Sequence, residues 1–215
     1  LAEILRDDAE YRDALTKNQQ KRVLEYIREH SPAYYNDVVI LLETGLRVSE
    51  LYGLTIKDVD FQEHCIHVWR QLCRTGDKPY FITEPKTKSG IRDIPLSKVA
   101  YEAFKDAISN RGKPKVEMLI DGHTGFVFLD KDGRPKTAMH LQGIMRTMNK
   151  RLAEMPNVTP HVLRHTFATN MQQAGIDVKS LQYLMGHSHA SVTLDVYSHN
   201  NYEHVLESFK RAVAT

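Results

Sequence analysis

The hydrophobic period of this sequence changes between Phe61 and Leu96, and no other feature constrains the fold as strongly. Outside this segment, apolar residues recur at helical spacing, as Val23, Leu24 and Ile27 do. Inside it, three short runs rich in strand-forming residues are separated by the turn signals Gly76-Asp77 and Ser89-Gly90. These runs are Cys65–Trp69, Tyr80–Ile82 and Ile91–Leu96. The pattern predicts a fold that is mainly α with a small antiparallel β-sheet, the α+β class.

Capping residues mark where the helices should begin and end. Thr16 to Gln19 form a capping-box pattern, and Thr159 followed by Pro160 is typical of a helix start. The helix restarted at Ser31-Pro32 should end at Gly45, because glycine readily takes the left-handed conformation that closes a helix. Arg47 lies directly beyond that glycine, where a following short helix would hold its backbone rigid.

Composition bounds the class of protein without identifying its partner. A chain of 215 residues can bury one sizeable core, so one main domain is expected. The net charge of +2 does not indicate a polyanionic partner, and a case for nucleic acid must rest on local clustering. Basic residues cluster between residues 70 and 92, where they outnumber Asp77 and Glu84. They are Arg70, Arg74, Lys78, Lys86, Lys88 and Arg92.

The expected setting is a reducing cytoplasm. Cys65 and Cys73 do not make a disulfide framework, and neither a signal peptide nor a membrane-spanning apolar run is present in the sequence. Because the chain begins at Leu1 in what looks like a helix, we expect it to be a fragment of a longer protein.

The segment from Thr159 to Tyr202 gathers residues that suit chemistry on a charged substrate. His161 and Arg164 lie three positions apart, so a helix would project both from one face. His187 follows the helix-ending Gly186, and Tyr197 follows ten residues later. An arginine, two histidines and a tyrosine are therefore predicted to meet at one place.

These motifs resemble the catalytic signature of the tyrosine recombinase (phage-type integrase) family. The run E-T-G-L-R-V-S-E-L-Y-G-L at 43–54 is similar to the first-arginine motif of that family, and T-K-S-G-I-R-D-I-P-L at 87–96 is similar to its lysine-bearing β-hairpin. The resemblance covers roughly residues 15–205. The runs L-L-E-T-G-L-R-V-S-E and F-A-T-N-M-Q-Q-A-G-I-D look closest to integrases of conjugative transposons.

The resemblance implies an enzyme that cleaves and rejoins DNA through a covalent 3′-phosphotyrosine. Arg47 and Arg164 would hold the phosphate oxygens, since a guanidinium can bind two oxygens at once. Tyr197 would be the nucleophile, with Tyr202 and Tyr183 as the alternatives, and His161 would stand nearby as proton acceptor. The remaining roles come from the family: His187 would donate to a phosphate oxygen, and Glu50 would orient the groups that touch the substrate.

Lys88 is the predicted general acid, because a departing sugar oxygen needs a proton. We expect it at a hairpin tip that enters the DNA groove, and Lys86, two residues away, is the rival candidate. The other basic residues of this region, Arg70, Arg74, Lys86 and Arg92, are candidates for DNA binding. No metal, no ATP and no other cofactor is expected, since the arginines would supply the charge and the phosphotyrosine would store the bond energy.

Other functions fit the residues less well. His161 and His165 have the spacing of zinc ligands in H-E-x-x-H, but Val162 occupies the position that needs the general base. Residues 130–133, D-K-D-G, begin like a calcium loop but lack the third acidic position and the closing glutamate. Two alternatives remain: a DNA-nicking and closing enzyme of the type IB topoisomerase kind, and a non-catalytic helix-turn-helix module over residues 177–196.

The domain prediction divides the chain into three parts. Residues 1–14 would be a linker or the end of a missing N-terminal core-binding domain, residues 15–201 the catalytic domain, and residues 202–215 an amphipathic helix. The resemblance implies a tetramer on two DNA sites that exchanges this helix between protomers. It also implies a bacterial, nucleoid-associated protein that excises and integrates a mobile element such as a conjugative transposon.

Overall fold

Helices make up most of the structure. The computed structural model describes residues 14–75, 78–85, 88–186 and 200–214. Within these residues the α-helices are α1 Lys17–His30, α2 Tyr35–Thr44, α3 Val48–Gly53, α4 Lys98–Ser109, α5 Ala138–Arg151, α6 Pro160–Gln173, α7 Val178–Met185 and α8 Asn200–Val213. The predicted fold class, mainly α with a small antiparallel component, is confirmed.

The strands form two small sheets rather than the single sheet expected. They are β1 Val59–Asp60, β2 Cys65–Val68, β3 Gln71–Thr75, β4 Lys78–Thr83 and β5 Arg92–Pro95. One antiparallel sheet has the order β1-β2-β5, and β3 pairs with β4 in a separate two-stranded sheet. The chain leaves the first sheet at Arg70, whose side chain turns inward and donates to the carbonyl oxygen of Gly53, and pairing does not continue into β3.

Helix α2 lies at the centre of the core. Its residues 38–42 are all buried, because α2 packs against α1, α4 and α6. The helix ends at Gly45 with φ +63, as predicted. A Cβ atom at this glycine would lie 2.3 Å from Cδ1 of Phe167, so both the backbone conformation and the contact with α6 require glycine. This close approach places Arg47 beside α6.

The cap predicted at the start of α6 is present, and α7 also begins with a cap. Thr159 accepts a hydrogen bond from the backbone N–H of Val162, and Pro160 is the first residue of α6. Asp177 caps α7 by accepting from the N–H of Ser180. His161 therefore lies in the first turn of α6, and Arg164 lies one turn further along.

Helix α8 packs against its own chain. Val205, Phe209 and Ala212 are buried, and the helix contacts α6, α7 and β5. The N–H of Asp177 donates to Oγ of Ser208, 3.3 Å away. This is the alternative to docking on a neighbouring protomer, and the role of α8 in assembly stays a prediction. Among the helices described, none is long and apolar enough to cross a membrane.

Candidate active site

Glu50 is the buried centre of an arginine cluster. Arg47 precedes the first residue of α3, and Glu50 in the first turn accepts from the backbone N–H of Arg47 at 2.9 Å. The Arg47 side chain reaches the same carboxylate, with Nη1 3.0 Å from Oε1. Glu50 is fully buried, whereas 30% of the Arg47 side chain is exposed. Arg47 is thus fixed at one end and open to solvent at the other.

Arg92 is a second partner of Glu50, and its burial contradicts the prediction that it binds DNA. Its Nη1 and Nη2 lie 3.2 and 3.0 Å from the two carboxylate oxygens. Its side chain has no exposed surface. Residues two apart on a strand share a face, and Arg92 shares the inward face of β5 with Ile94. The alternation along R-D-I-P was the signal in the sequence that could have revealed this burial.

Arg164 is the third guanidinium of the cluster. It is buried and donates to the carbonyl oxygens of Gly45, at 2.6 Å, and of Met185. These carbonyls stand at the C-terminal ends of α2 and α7, where the helix dipoles favour a positive charge. Two helix ends and the nearby Glu50 therefore stabilise a guanidinium inside the domain.

The charges around Glu50 do not balance. Burial alone would raise the pKa of Glu50, but the positive charges of Arg92, Arg164 and Arg47 overcome it and lower the pKa to about 2. Three guanidinium groups thus surround one carboxylate. Within this group of four side chains, which we call the Glu50 cluster, two positive charges remain for an anion to neutralise.

His161 lies one helical turn before Arg164 on α6. It is exposed in the first turn of α6 and lines an open cleft of about 500 Å³ between α5 and the start of α6. Arg146 and Lys150 of α5 line the same cleft and are exposed. The cleft therefore presents basic groups next to the imidazole.

Lys88 does not occupy the predicted hairpin tip. It begins a short 3₁₀ turn, Lys88–Gly90, which leads into β5. Strands β4 and β5 belong to different sheets, so the chain between them is not a hairpin, and the hairpin that forms is β3–β4. The turn is held near the cluster, since the Gly90 carbonyl accepts from Nη1 of Arg92 at 3.0 Å. Lys86 and the Lys88 side chain lie outside the described residues.

Arg70 and Arg74 are the two remaining residues that were predicted to bind DNA. The structure contradicts this prediction for Arg70 but not for Arg74. The Arg70 side chain is buried, forms an ion pair with Asp58 and lies over the Trp69 ring. Arg74 is exposed on β3, with its guanidinium 5.2 Å from the centre of the Tyr80 ring. Of these two residues, Arg74 is the one whose side chain is exposed.

The two alternatives to Tyr197 as nucleophile are held as neutral phenols. Burial raises the pKa of Tyr183, whose oxygen accepts from the N–H of Asp93. Burial, together with the neighbouring Cys65, raises the pKa of Tyr202 strongly. A raised pKa disfavours the phenolate needed for attack. His187 and Tyr197 lie outside the described residues.

The solved structures that this chain resembles define its structural class. The structure superposes on the Tn1549 transposon integrase in complex with a circular intermediate DNA, with a TM-score of 0.77 and 40% identity over 98% of this chain and 69% of that chain. It also matches the Tn1549 integrase in complex with transposon right end DNA, with a TM-score of 0.75, 41% identity and coverage of 96% and 69%. The fold is thus that of a tyrosine recombinase catalytic domain.

The family follows from the sequence match. Residues 13–204 match the phage integrase family, and the chain belongs to that family. It is 38% identical to the transposase from transposon Tn916 of Enterococcus faecalis over 98% of this chain and 54% of the relative. It is 31% identical to tyrosine recombinase XerC of Bacillus subtilis over 79% and 50%. The chain thus spans about half the length of these curated relatives.

Proposed function

We propose that this chain is the catalytic part of a site-specific DNA recombinase that excises and integrates a mobile element. The observation that carries the proposal is the charge surplus of the Glu50 cluster, which opens to solvent at Arg47. A phosphodiester in transition between four and five coordination carries growing negative charge on its oxygens. Preorganised donors at that place typically contribute about 100- to 1,000-fold each.

The proposed cleavage step needs only groups of this chain and the DNA. The Tyr197 oxygen attacks phosphorus and forms a Tyr–O–P bond, while its proton passes to His161. The bond from phosphorus to the 5′ oxygen breaks, and this oxygen takes a proton from Lys88. The products are a 3′-phosphotyrosine and a free 5′ hydroxyl. Attack by a 5′ hydroxyl reverses the step and reseals the strand without ATP.

The other roles follow from position. Arg47 binds the scissile phosphate directly, because it is the cluster member that is partly exposed. Arg164 contributes its charge from the interior, and His187, next in sequence after Gly186, donates to a phosphate oxygen. Arg74 contacts DNA beyond the scissile position.

The proposed assembly is a tetramer on two DNA sites. Helix α8 packs in cis through Val205 and Phe209, and residues 187–199 connect it to α7. A connection of thirteen residues can span about 40 Å when extended, so the same helix could dock on a neighbour. Several solved relatives are complexes with DNA, and a lambda integrase tetramer bound to a Holliday junction matches in fold. A protein acting on bacterial DNA would work in the cytoplasm.

Covalent trapping tests this proposal. Duplexes from the ends of the mobile element, nicked beside the cleavage position, should give a denaturation-resistant adduct at the 3′ end of the break, unchanged by chelator. Tyr197→Phe should abolish the adduct, while Tyr183→Phe and Tyr202→Phe should form it. An adduct that survives Tyr197→Phe would contradict the proposal. Relaxation of plasmids without paired sites would favour the topoisomerase alternative.

A further inference from the structure

The guanidinium of Arg92 donates hydrogen bonds to three separate segments of the chain. Nε donates to the carbonyl of Leu184 at 2.8 Å. Nη1 donates to the carbonyl of Gly90 at 3.0 Å and to Glu50 at 3.2 Å, and Nη2 donates to Glu50 at 3.0 Å. All four of these hydrogen bonds are buried.

Each of the three segments carries a residue of the proposed mechanism. Glu50 holds Arg47. Gly90 ends the turn that begins at Lys88. Leu184 precedes Met185, whose carbonyl accepts from Arg164. Arg92 therefore lies where Arg47, the buried Arg164 and the turn that carries the proposed proton donor are joined through the protein.

Local packing makes this junction tight. A Cβ atom on Gly90 would lie 2.2 Å from Cβ of Pro85, and one on Gly186 would lie 2.8 Å from Nη1 of Arg92. The turn and the end of α7 thus both approach too closely to accept a side chain without rearrangement. Displacement of Arg92 would remove the hydrogen bonds that hold the turn and the end of α7 to Glu50.

Stability alone does not explain a charged residue at this position. Burial of a guanidinium carries a large desolvation penalty. Replacing a buried ion pair by apolar residues often leaves the stability of the fold unchanged or increases it. The neighbouring position on the same face of β5 is the apolar Ile94. What arginine adds is a planar set of donors that binds a carboxylate and two carbonyls at fixed angles.

We propose that Arg92 is a positioning residue that fixes the Lys88 turn relative to Arg47, so that the general acid meets the leaving oxygen of the phosphate that Arg47 binds. The proposal rests on the assignment of Lys88 as general acid. Arg92 itself does not touch DNA. Its removal should harm proton delivery more than phosphate binding.

The test compares two substrates for each variant. One is an ordinary nicked duplex, and the other has sulfur in place of the bridging 5′ oxygen, so that its leaving group needs no proton. Arg92→Lys keeps a cation beside Glu50 but loses the donors that reach Gly90 and Leu184. We expect its cleavage of the ordinary duplex to fall about 100-fold, as a misplaced catalytic group would cause, while the sulfur substrate is cleaved at nearly the wild-type rate.

Three comparisons interpret this result. The ratio of the two rates does not depend on the fraction folded, since one preparation cleaves both substrates, and Arg92→Gln provides a second variant should Arg92→Lys not fold. Arg47→Lys should lose activity on both substrates. Lys88→Ala should be rescued by sulfur; failure there overturns Lys88 as general acid and this inference with it. The other contrary outcome is that sulfur rescues Lys88→Ala while both Arg92 variants keep the wild-type ratio of the two cleavage rates. That outcome overturns the role of Arg92 and leaves Lys88 as the general acid.

Discussion

Two buried carboxylates on neighbouring helices differ in the charges that surround them. Asp37 of α2 and Glu50 of α3 are both buried. Asp37 faces one cation, Lys136, with Nζ 3.0 Å from Oδ2, and accepts from the Tyr52 hydroxyl at 2.9 Å. Glu50 faces three guanidinium groups. The first pair is balanced, and the second group is positively charged.

The pKa directions follow this difference. Burial raises the pKa of Asp37, and the Lys136 charge compensates only in part. Burial acts on Glu50 as well, yet the arginines lower its pKa to about 2. Lys136 completes its environment with the Ala33 carbonyl and the face of the Tyr34 ring, so the Asp37 site is closed. A balanced, closed pair ties elements together, whereas a charge surplus with one exposed arginine suits an anionic ligand.

The largest expected effect comes from neutralising each carboxylate. Glu50→Gln leaves three guanidinium groups without a counter-charge, so the free energy of unfolding should fall by about 3–5 kcal/mol, and the folded fraction should lose cleavage. Asp37→Asn is the matched control. It should also cost about 3–5 kcal/mol, because Lys136 is left as an uncompensated buried charge, but it should leave cleavage per folded molecule unchanged. Denaturant unfolding and adduct formation measure the two quantities, and equal loss of cleavage in both variants would remove the distinction.

Lowering the pH should change the contributions of the two carboxylates to the free energy of unfolding in different ways. The folded pKa of Glu50 is below its ordinary value, so its stabilisation is present above about pH 4.5 and is lost as the pH falls towards 2. The loss should be on the order of 3 kcal/mol. The pKa of Asp37 is raised, so Asp37 adds no loss on acidification. Unfolding followed between pH 6 and 3 should show a shallower decline in Glu50→Gln than in wild type, and parallel curves would contradict this assignment.

The sequence predicted the elements of the site better than the direction of its side chains. Gly45, Thr16 and Thr159 carry their structural roles in their own chemistry, as a left-handed residue and two caps, and local chemistry can be recognised without tertiary contacts. Family motifs likewise identified Arg47, Glu50 and Arg164, and the structure gathers these three residues. The spacing of motifs therefore indicated both the helices and the centre of the site.

Arg70 and Arg92 show where such reasoning fails. Both were assigned to a basic surface because charge was counted along the chain, and a count does not say which face of a strand a residue occupies. Arg92 faces inward because it alternates with Asp93, and Arg70 because Asp58 offers a buried carboxylate twelve positions earlier. The partners of both are set by tertiary packing. The same applies to the separate β3–β4 hairpin, since pairing of β2 with β5 skips two strands.

The smallest expected effect concerns the surface of the hairpin. Arg74 is exposed. Unlike Arg70 and Arg92, it has no carboxylate partner among the ion pairs described. Arg74→Ala should weaken DNA binding modestly and lower the slope of log K against log salt by about 1, as loss of one phosphate contact does. Lys105→Ala, an exposed change on α4, is the control. An unchanged salt slope in Arg74→Ala would place the hairpin away from DNA.

The charge surplus of the Glu50 cluster is tested most directly by neutralising the phosphate instead of the protein. Replacing one non-bridging oxygen at the scissile position by a methyl group gives an uncharged methylphosphonate. Arg47→Ala should cleave the ordinary phosphate about 100- to 1,000-fold more slowly than wild type. It should lose far less on the methylphosphonate, because the charge that Arg47 offsets is gone. Lys136→Met, in the balanced Asp37 site, should show no such change of preference. If Arg47→Ala is equally impaired on both substrates, the surplus charge does not act on the phosphate, and the central claim fails.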